Sequence, residues 1–328
     1  MKLASLKNGK RDGALIVVSR DLTRAVAADD IAPTLQAAIE NWQQVVPALQ
    51  ARSDALNAGT AAGAFAFDQT KVASPLPRAY QWLDGSAYLS HVELVRKARG
   101  ADMPKSFLDD PLMYQGSSDY FTGPHDPVLV ESEDWGVDLE AELAIITDDV
   151  PMLTKQDDAK RHIKLLMLVN DISLRHIIPA ELNKGFGFLN GKGVTAFSPV
   201  AVTPDELGDA WNGSKVSLPL TVNINGEKLG APLAGEDVYF EFPKLISHAA
   251  KTRTLGAGTV IGSGTISNHD RTRGFCCISE KRALEVVEHG EAKTSFFRFG
   301  DRVRVEMFDT SGASIFGAID NEIRPYAS

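Results

Sequence analysis

Three acids spaced two apart in the short stretch VDLEAELAI, residues 137–145, raise the question of what this chain holds. Val137, Leu139, Ala141, Leu143 and Ile145 alternate there with Asp138, Glu140, Glu142 and Ala144. Side chains alternate faces along a strand, so one face is apolar and the other acidic. Glu140 and Glu142, with Cα atoms roughly 6.5–7 Å apart, can reach one ion from the same strand. The same pattern also describes a strand with one face in water, and Asp138 is best read that way. A further acid, Asp171, follows the apolar run in IKLLMLVNDIS. A carboxylate beside a core is costly without a partner, although Asp171 could equally cap a turn. Arg175 and Lys192, the latter in GFGFLNGKG, could neutralise such a site or bind an anionic substrate beside it. Upstream, in WLDGSAYLSHVELVRKAR, Asp84 or Ser86 fits a helix N-cap ahead of a Leu89, Val92, Val95 stripe, with His91 in the second turn.

Several chemistries are excluded by spacing. No serine stands in G-x-S-x-G, and there is no P-loop, H-E-x-x-H or paired C-x-x-C. In GAGTVIG the third glycine of a dinucleotide fingerprint falls on Ile261. Cys276 and Cys277 are adjacent in the apolar GFCCIS, which predicts buried inert thiols and no disulfide framework.

The elements that must position these residues are mostly strands. KLASLK and ALIVVS flank the turn-rich NGKRDG as a hairpin, and Asn225-Gly226 in LPLTVNINGEKLG signals a second. FGDRVRVEMFDTSGASIFGAIDNEI predicts a final strand pair around a Ser-Gly turn, and VYFEFPKLISHAAKTRTL a helix packed on that framework. Near the start, Leu35, Ile39, Trp42 and Val46 form a helical stripe that Pro47 should kink or end. Residues 58–80 are rich in small residues and then proline, as a linker would be. Strands and helices do not alternate regularly, which disfavours a parallel doubly wound sheet. The residues thus predict a β-rich α+β fold. A formal net charge of −9 argues against nucleic acid or an anionic membrane surface as partner. Without a signal-like or membrane-spanning apolar run, a cytoplasmic location is expected.

Taken in order, VDLEAELAI, LVNDISLRHI, NGKG and GSGTISN resemble the fumarylacetoacetate hydrolase (fumarylacetoacetase) family. The resemblance implies a mixed β-roll catalytic domain over 79–328, preceded by a small N-terminal α+β domain and linker over 1–78, usually in a homodimer. It implies one divalent cation, Mg²⁺, Ca²⁺ or Mn²⁺, on Asp84, Glu140, Glu142 and Asp171. It makes His91 the general base, assigns Lys192 to catalysis, and matches Tyr114, Arg175 and Thr265 to substrate contacts. A further family glutamate, orienting water and histidine, falls nearest Glu280, with Glu93 as the other choice, while a substrate-contacting glutamine of the family maps to Ile178.

The chemistry implied is cleavage of a C–C bond in a β-diketone or acylpyruvate such as fumarylacetoacetate, a reaction of aromatic amino acid catabolism. All-oxygen ligation selects a hard cation, which polarises a carbonyl while His91 activates water. Decarboxylases, isomerases and hydratases of 2-oxo acids share the scaffold and the enolate. A non-catalytic cation-binding protein is the reading from a different class, and a base at His91 speaks against it. The expected partner is a small diketo or oxo acid.

Overall fold

The computed structural model describes residues 1–98, 100 and 102–327. Its framework is a pair of mixed, mostly antiparallel sheets of twelve and five strands. The long strand Ile163–Leu174 is central to the larger sheet and pairs antiparallel with Ala141–Thr147, Val194–Phe197 and Ala201–Val202. Ala141–Thr147 in turn pairs with Val260–Gly262, which runs parallel to Trp82–Gly85, and Met113–Gly116 closes that edge. Helices cover this framework, so the α+β, β-rich expectation holds.

The two faces of the central strands serve different cores. Leu143, Ile145, Leu166 and Leu168 pack into one cluster, while Ala144, Ile146, Leu165 and Met167 pack into another. Every residue of Ala141–Thr147 is therefore buried, and the half-wet strand expected from the alternation is not found. Aliphatic side chains on both faces, with neighbouring strands on either side, are what a doubly covered sheet requires. Between Val137–Asp138 and Ala141–Thr147 the strand is interrupted at Leu139 and Glu140.

The N-terminal hairpin forms as predicted, with Lys2 opposite Val18 and Leu6 opposite Ala14. Lys2–Leu6 also pairs with Ala201–Val202, so these strands extend the twelve-stranded sheet. The helical stripe divides at Asn41 into Leu35–Glu40 and Trp42–Asn57, and Pro47 lies inside the second helix. Burial of Leu49 and Leu56 against the sheet carries that helix through the proline, which tertiary packing commonly does against local propensity. The segment expected as a linker includes Phe65–Ala66, which pairs with Arg24–Ala27.

In the smaller sheet Asn225 and Gly226 have φ of 52° and 86°, the two positive values that a two-residue hairpin of matching twist demands. Arg302–Met307 and Ile319–Pro325 pair beside it, around a loop containing Gly312. The helix Phe242–Ala249 is present, and Leu89–Ala98 packs against Ile278–His289. Both cysteines are free and buried. Among the described residues no helix is long and apolar enough to cross a membrane.

Candidate active site

Strand register gathers the acids. Asp84 lies opposite Gly262, and Gly262 opposite Ala144, so these share one face of the sheet with Glu142 two residues before Ala144. Across the next ladder Glu142 pairs with Val169, which puts Asp171, two residues on, on the same face. Carboxylate oxygens of Asp84, Glu140, Glu142 and Asp171 all come within 4.8 Å of one another, and all four side chains are buried. Asp84 thus belongs to the strand Trp82–Gly85 and is not a helix cap, and Asp171 lies within Ile163–Leu174 and caps no turn.

Two glycines make room for this. A Cβ on Gly262 would sit 2.6 Å from Asp84 Oδ1 and 2.9 Å from Glu142 Oε2, so only hydrogen fits between the two carboxylates. Gly264, at φ +72°, turns its N–H toward them and donates to Asp84 Oδ1 at 3.1 Å and Glu142 Oε2 at 3.0 Å. A Cβ there would meet the carbonyl of Gly85 at 2.3 Å. Thr195, the cross-strand partner of Asp171, donates its hydroxyl to Asp171 Oδ1 at 2.9 Å.

Electrostatics divide the cluster. Burial and the charge of Asp171 push Asp84 up to about 8. Burial, with Asp84 and Asp171 as neighbours, pushes Glu142 well above its ordinary value. Burial acts on Glu140 in the same sense, but Lys192 and Arg175 together outweigh it and bring its carboxyl below the usual range. Lys192 Nζ lies 2.5 Å from Glu140 Oε2 and 2.6 Å from Asp171 Oδ2. Burial disfavours its charge, yet Asp171 and Glu140 hold the ammonium well above its ordinary pKa. Tyr114 donates its hydroxyl to Asp171 Oδ2 at 2.5 Å.

The donor set fits a divalent cation. Among the described residues Oε1 of buried Glu142 has no hydrogen-bond partner, nor has Oγ1 of buried Thr265. Four buried acids with Lys192 and Arg175 beside them retain excess negative charge if all ionise, and oxygen donors alone suit a hard ion.

Arg175 Nε donates to Asp138 Oδ2 at 2.8 Å, and its Nη2 stands 2.8 Å from Glu140 Oε1. Asp138, expected in water, is 0% exposed. It also accepts the backbone N–H groups of Ile278 and Ser279 at 2.8 and 2.9 Å. These are the first two residues of Ile278–His289, where aligned amide dipoles favour an anion. Asp138 is therefore a buried tie between that helix and Arg175, which sequence reading missed.

His91 is the third residue of Leu89–Ala98, in its first turn, and the buried positions of that helix are Leu89, Ser90 and Leu94. Val92 and Val95 are only partly covered, because the helix lies on its partner along a different stripe from the one expected. Nδ1 of His91 is 3.9 Å from Oε1 of Glu280 on the neighbouring helix. Ser267 Oγ donates to that oxygen at 2.5 Å and Arg271 Nη1 at 2.7 Å. Glu93 faces outward instead, 3.1 Å from His269 Nε2. Of the two carboxylates considered for the histidine, Glu280 is the one beside it.

A cavity of about 400 Å³ opens on this arrangement, with Asp84, His91, Tyr114, Glu140, Arg175, Ile178, Lys192 and Thr265 in its wall. The loop that carries Lys192 is shaped by Glu181, whose carboxylate accepts the N–H groups of Leu189, Asn190 and Gly191 at 3.1, 2.7 and 2.9 Å.

Comparison with known proteins agrees with this picture. The family described as "Fumarylacetoacetate (FAA) hydrolase C-terminal" matches residues 81–324, and "Fumarylacetoacetase N-terminal domain 2" matches residues 1–78. A 2,4-didehydro-3-deoxy-L-rhamnonate hydrolase of Sphingomonas sp. (strain SKA58) is 28% identical over 159 residues, 48% of this chain and 53% of that protein. This chain therefore spans about half the length of that relative. Oxaloacetate tautomerase YisK of Bacillus subtilis (strain 168) is 25% identical over 244 residues, 74% of this chain and 71% of that protein. Maleylpyruvate hydrolase from Sphingobium sp. SYK-6, solved with manganese(II) and pyruvate, shares the fold at 17% identity and a TM-score of 0.66, over 100% of both chains. With three quarters of its length matched, the chain belongs to the fumarylacetoacetate hydrolase family, whose members include hydrolases, isomerases and tautomerases.

Proposed function

We propose that this chain is a divalent-cation-dependent hydrolase that cleaves a C–C bond in an acylpyruvate or β-diketone. The observation that carries the reading is one cavity walled by Asp84, Glu140, His91 and Lys192, with Glu280 behind His91. Asp84, Glu140, Glu142 and Asp171 would hold the cation, which supplies polarisation of a substrate carbonyl and stabilisation of the departing enolate.

The chain's own groups perform the rest. His91 takes a proton from water as the water oxygen bonds to the carbonyl carbon. The C–C bond then breaks, its electron pair stays with the α-carbon, and the proton held on His91 passes to that carbon. A carboxylic acid and a ketone leave. Glu280, with Oε1 3.9 Å from Nδ1 of His91, is the carboxylate placed to orient that ring, and Arg271 and Ser267 fix the carboxylate by hydrogen bonds to Oε1. Lys192 and Arg175 meet the negative charge of a 2-oxo acid carboxylate, and the free Thr265 hydroxyl supplies a neutral donor.

A second reading, tautomerisation or decarboxylation of a 2-oxo acid, is favoured by Ile178. An apolar side chain lines the cavity where a glutamine is expected, which removes a polar contact to an extended substrate. Both readings share enolate chemistry, and substrate decides between them. The test is a screen of acylpyruvates, diketones and 2-oxo acids with Mg²⁺, Mn²⁺ or Ca²⁺, with products identified by mass. Two carbon fragments support cleavage. Turnover without fragmentation supports the second reading, and none with any substrate overturns both.

A further inference from the structure

Behind the acidic cluster lies a group of donors of different chemistry. A ring nitrogen of His91, Sγ of Cys277 and a carboxylate oxygen of Glu280 all fall within 4.8 Å of one another. Two atoms in this group lack partners. Among the described residues Nδ1 of His91 and Oε2 of Glu280 find no hydrogen-bond partner, although the Glu280 side chain is 1% exposed. Buried polar atoms are rarely left so. Arg271 and Ser267 occupy only the other oxygen, Oε1. Cys277 is the N-cap of Ile278–His289, with its sulfur 3.4 Å from the N–H of Glu280. Burial, and then the charge of Asp138, push the Cys277 thiol well above its ordinary value, so the resting sulfur keeps its proton until an ion displaces it.

We propose that His91, Cys277 and Glu280 form a second cation site, selective for a thiophilic divalent ion such as Zn²⁺ or Cd²⁺. Nitrogen, sulfur and a single carboxylate suit a borderline or soft ion, whereas the neighbouring all-oxygen cluster suits a hard one. Donors around tetrahedral zinc stand roughly 3.5 Å apart, so a contraction of about 1 Å completes the site, within reach of side-chain rotation. On binding, the Cys277 S–H bond breaks, its proton leaves to water, and the sulfur bonds to the ion. A divalent ion, a thiolate and a carboxylate sum to neutrality, so the guanidinium of Arg271 meets no net repulsion. The fourth position is left to water on the cavity side, where His91 is exposed to entering ions. An ion held there withdraws the lone pair of His91 and stops turnover, a consequence that rests on His91 being the base; the existence of the site does not.

The test uses the full chain saturated with Mg²⁺ and titrated with Cd²⁺, following the ultraviolet thiolate-to-cadmium charge-transfer band. One equivalent should produce the band. Cys276→Ser should keep it and Cys277→Ser should lose it. His91→Ala, which leaves the buried sulfur in place, should weaken Cd²⁺ at least as much as the roughly 10–100-fold that loss of an outer-shell partner costs. Absence of the band in the unaltered protein, its survival in Cys277→Ser, or unchanged Cd²⁺ affinity in His91→Ala would overturn the site. A band with undiminished turnover would leave the site standing and count against His91 as the base.

Discussion

The carboxylates of Asp84 and Glu142 share a single backbone donor, the N–H of Gly264, at 3.1 and 3.0 Å. They can do so because Gly262, lying between them in the sheet, has no side chain. The cluster is thus built by strand pairing and two glycines as much as by the acids themselves.

Gly262→Ala therefore tests the geometry without removing a donor. Its Cβ would meet Trp82 at 2.4 Å and Asp84 Oδ1 at 2.6 Å, and the strands must part. Overpacking of this kind costs about 1–3 kcal/mol, read as an earlier denaturant midpoint. Calorimetric titration with Mn²⁺ should show affinity reduced by about tenfold or more, the effect of a lost 1.4 kcal/mol. Unchanged affinity would mean that the acids do not converge on one ion.

The proton on Asp84 gives a pH dependence with a definite sign. Its carboxyl is pushed up to about 8 by burial and by Asp171, from an ordinary value of 3.8. Between those values the cation-free folded chain binds more protons than the unfolded chain. Its contribution to stability is thus full below pH 3.8 and is lost as pH rises through about 8. A cation must displace that proton, so affinity rises toward pH 8 and binding at pH 7 releases protons. Titrations in two buffers of different ionisation enthalpy measure this directly, and identical heats would contradict it.

Glu181 is predicted to control the loop bearing Lys192. The amide of Asn190 first, then those of Gly191 and Leu189, hold its carboxyl below the ordinary value of 4.5. The stabilisation is present above that pH and lost as pH falls through the lower folded value. Glu181→Ala should expose residues 183–191 to limited proteolysis at neutral pH. Resistance equal to the unaltered chain would show that the loop is held by something else.

Asp138→Asn separates a buried charge from its partner, since Arg175 Nε would face an amide in place of a carboxylate. Removing one member of a buried pair costs roughly 3–5 kcal/mol, visible in equilibrium unfolding. A variant as stable as the parent would show that Asp138 is not the tie described.

How much of this is legible in the sequence depends on whether the cause is local. Glu140 and Glu142 announce themselves because a period of two is a property of one segment, and Asn225-Gly226 because turn chemistry is local too. Asp138 has the same spacing and a different fate, because its partners are amides of Ile278 and Ser279, about 140 residues away. The pattern also breaks at Leu139 and Glu140, which no periodicity predicts. Thr195 and Gly262 act through cross-strand register, which one strand does not encode. Glu280, not Glu93, stands beside His91 because two helices pack side by side, a contact between distant segments that no single one encodes.

The central claim, that His91 is the base of a cation-dependent reaction, is tested most directly by His91→Ala under saturating Mn²⁺. With a substrate from the screen, kcat should fall by roughly 10²–10⁴-fold while Mn²⁺ affinity stays within twofold of the parent. Turnover equal to that of the unaltered chain would contradict it.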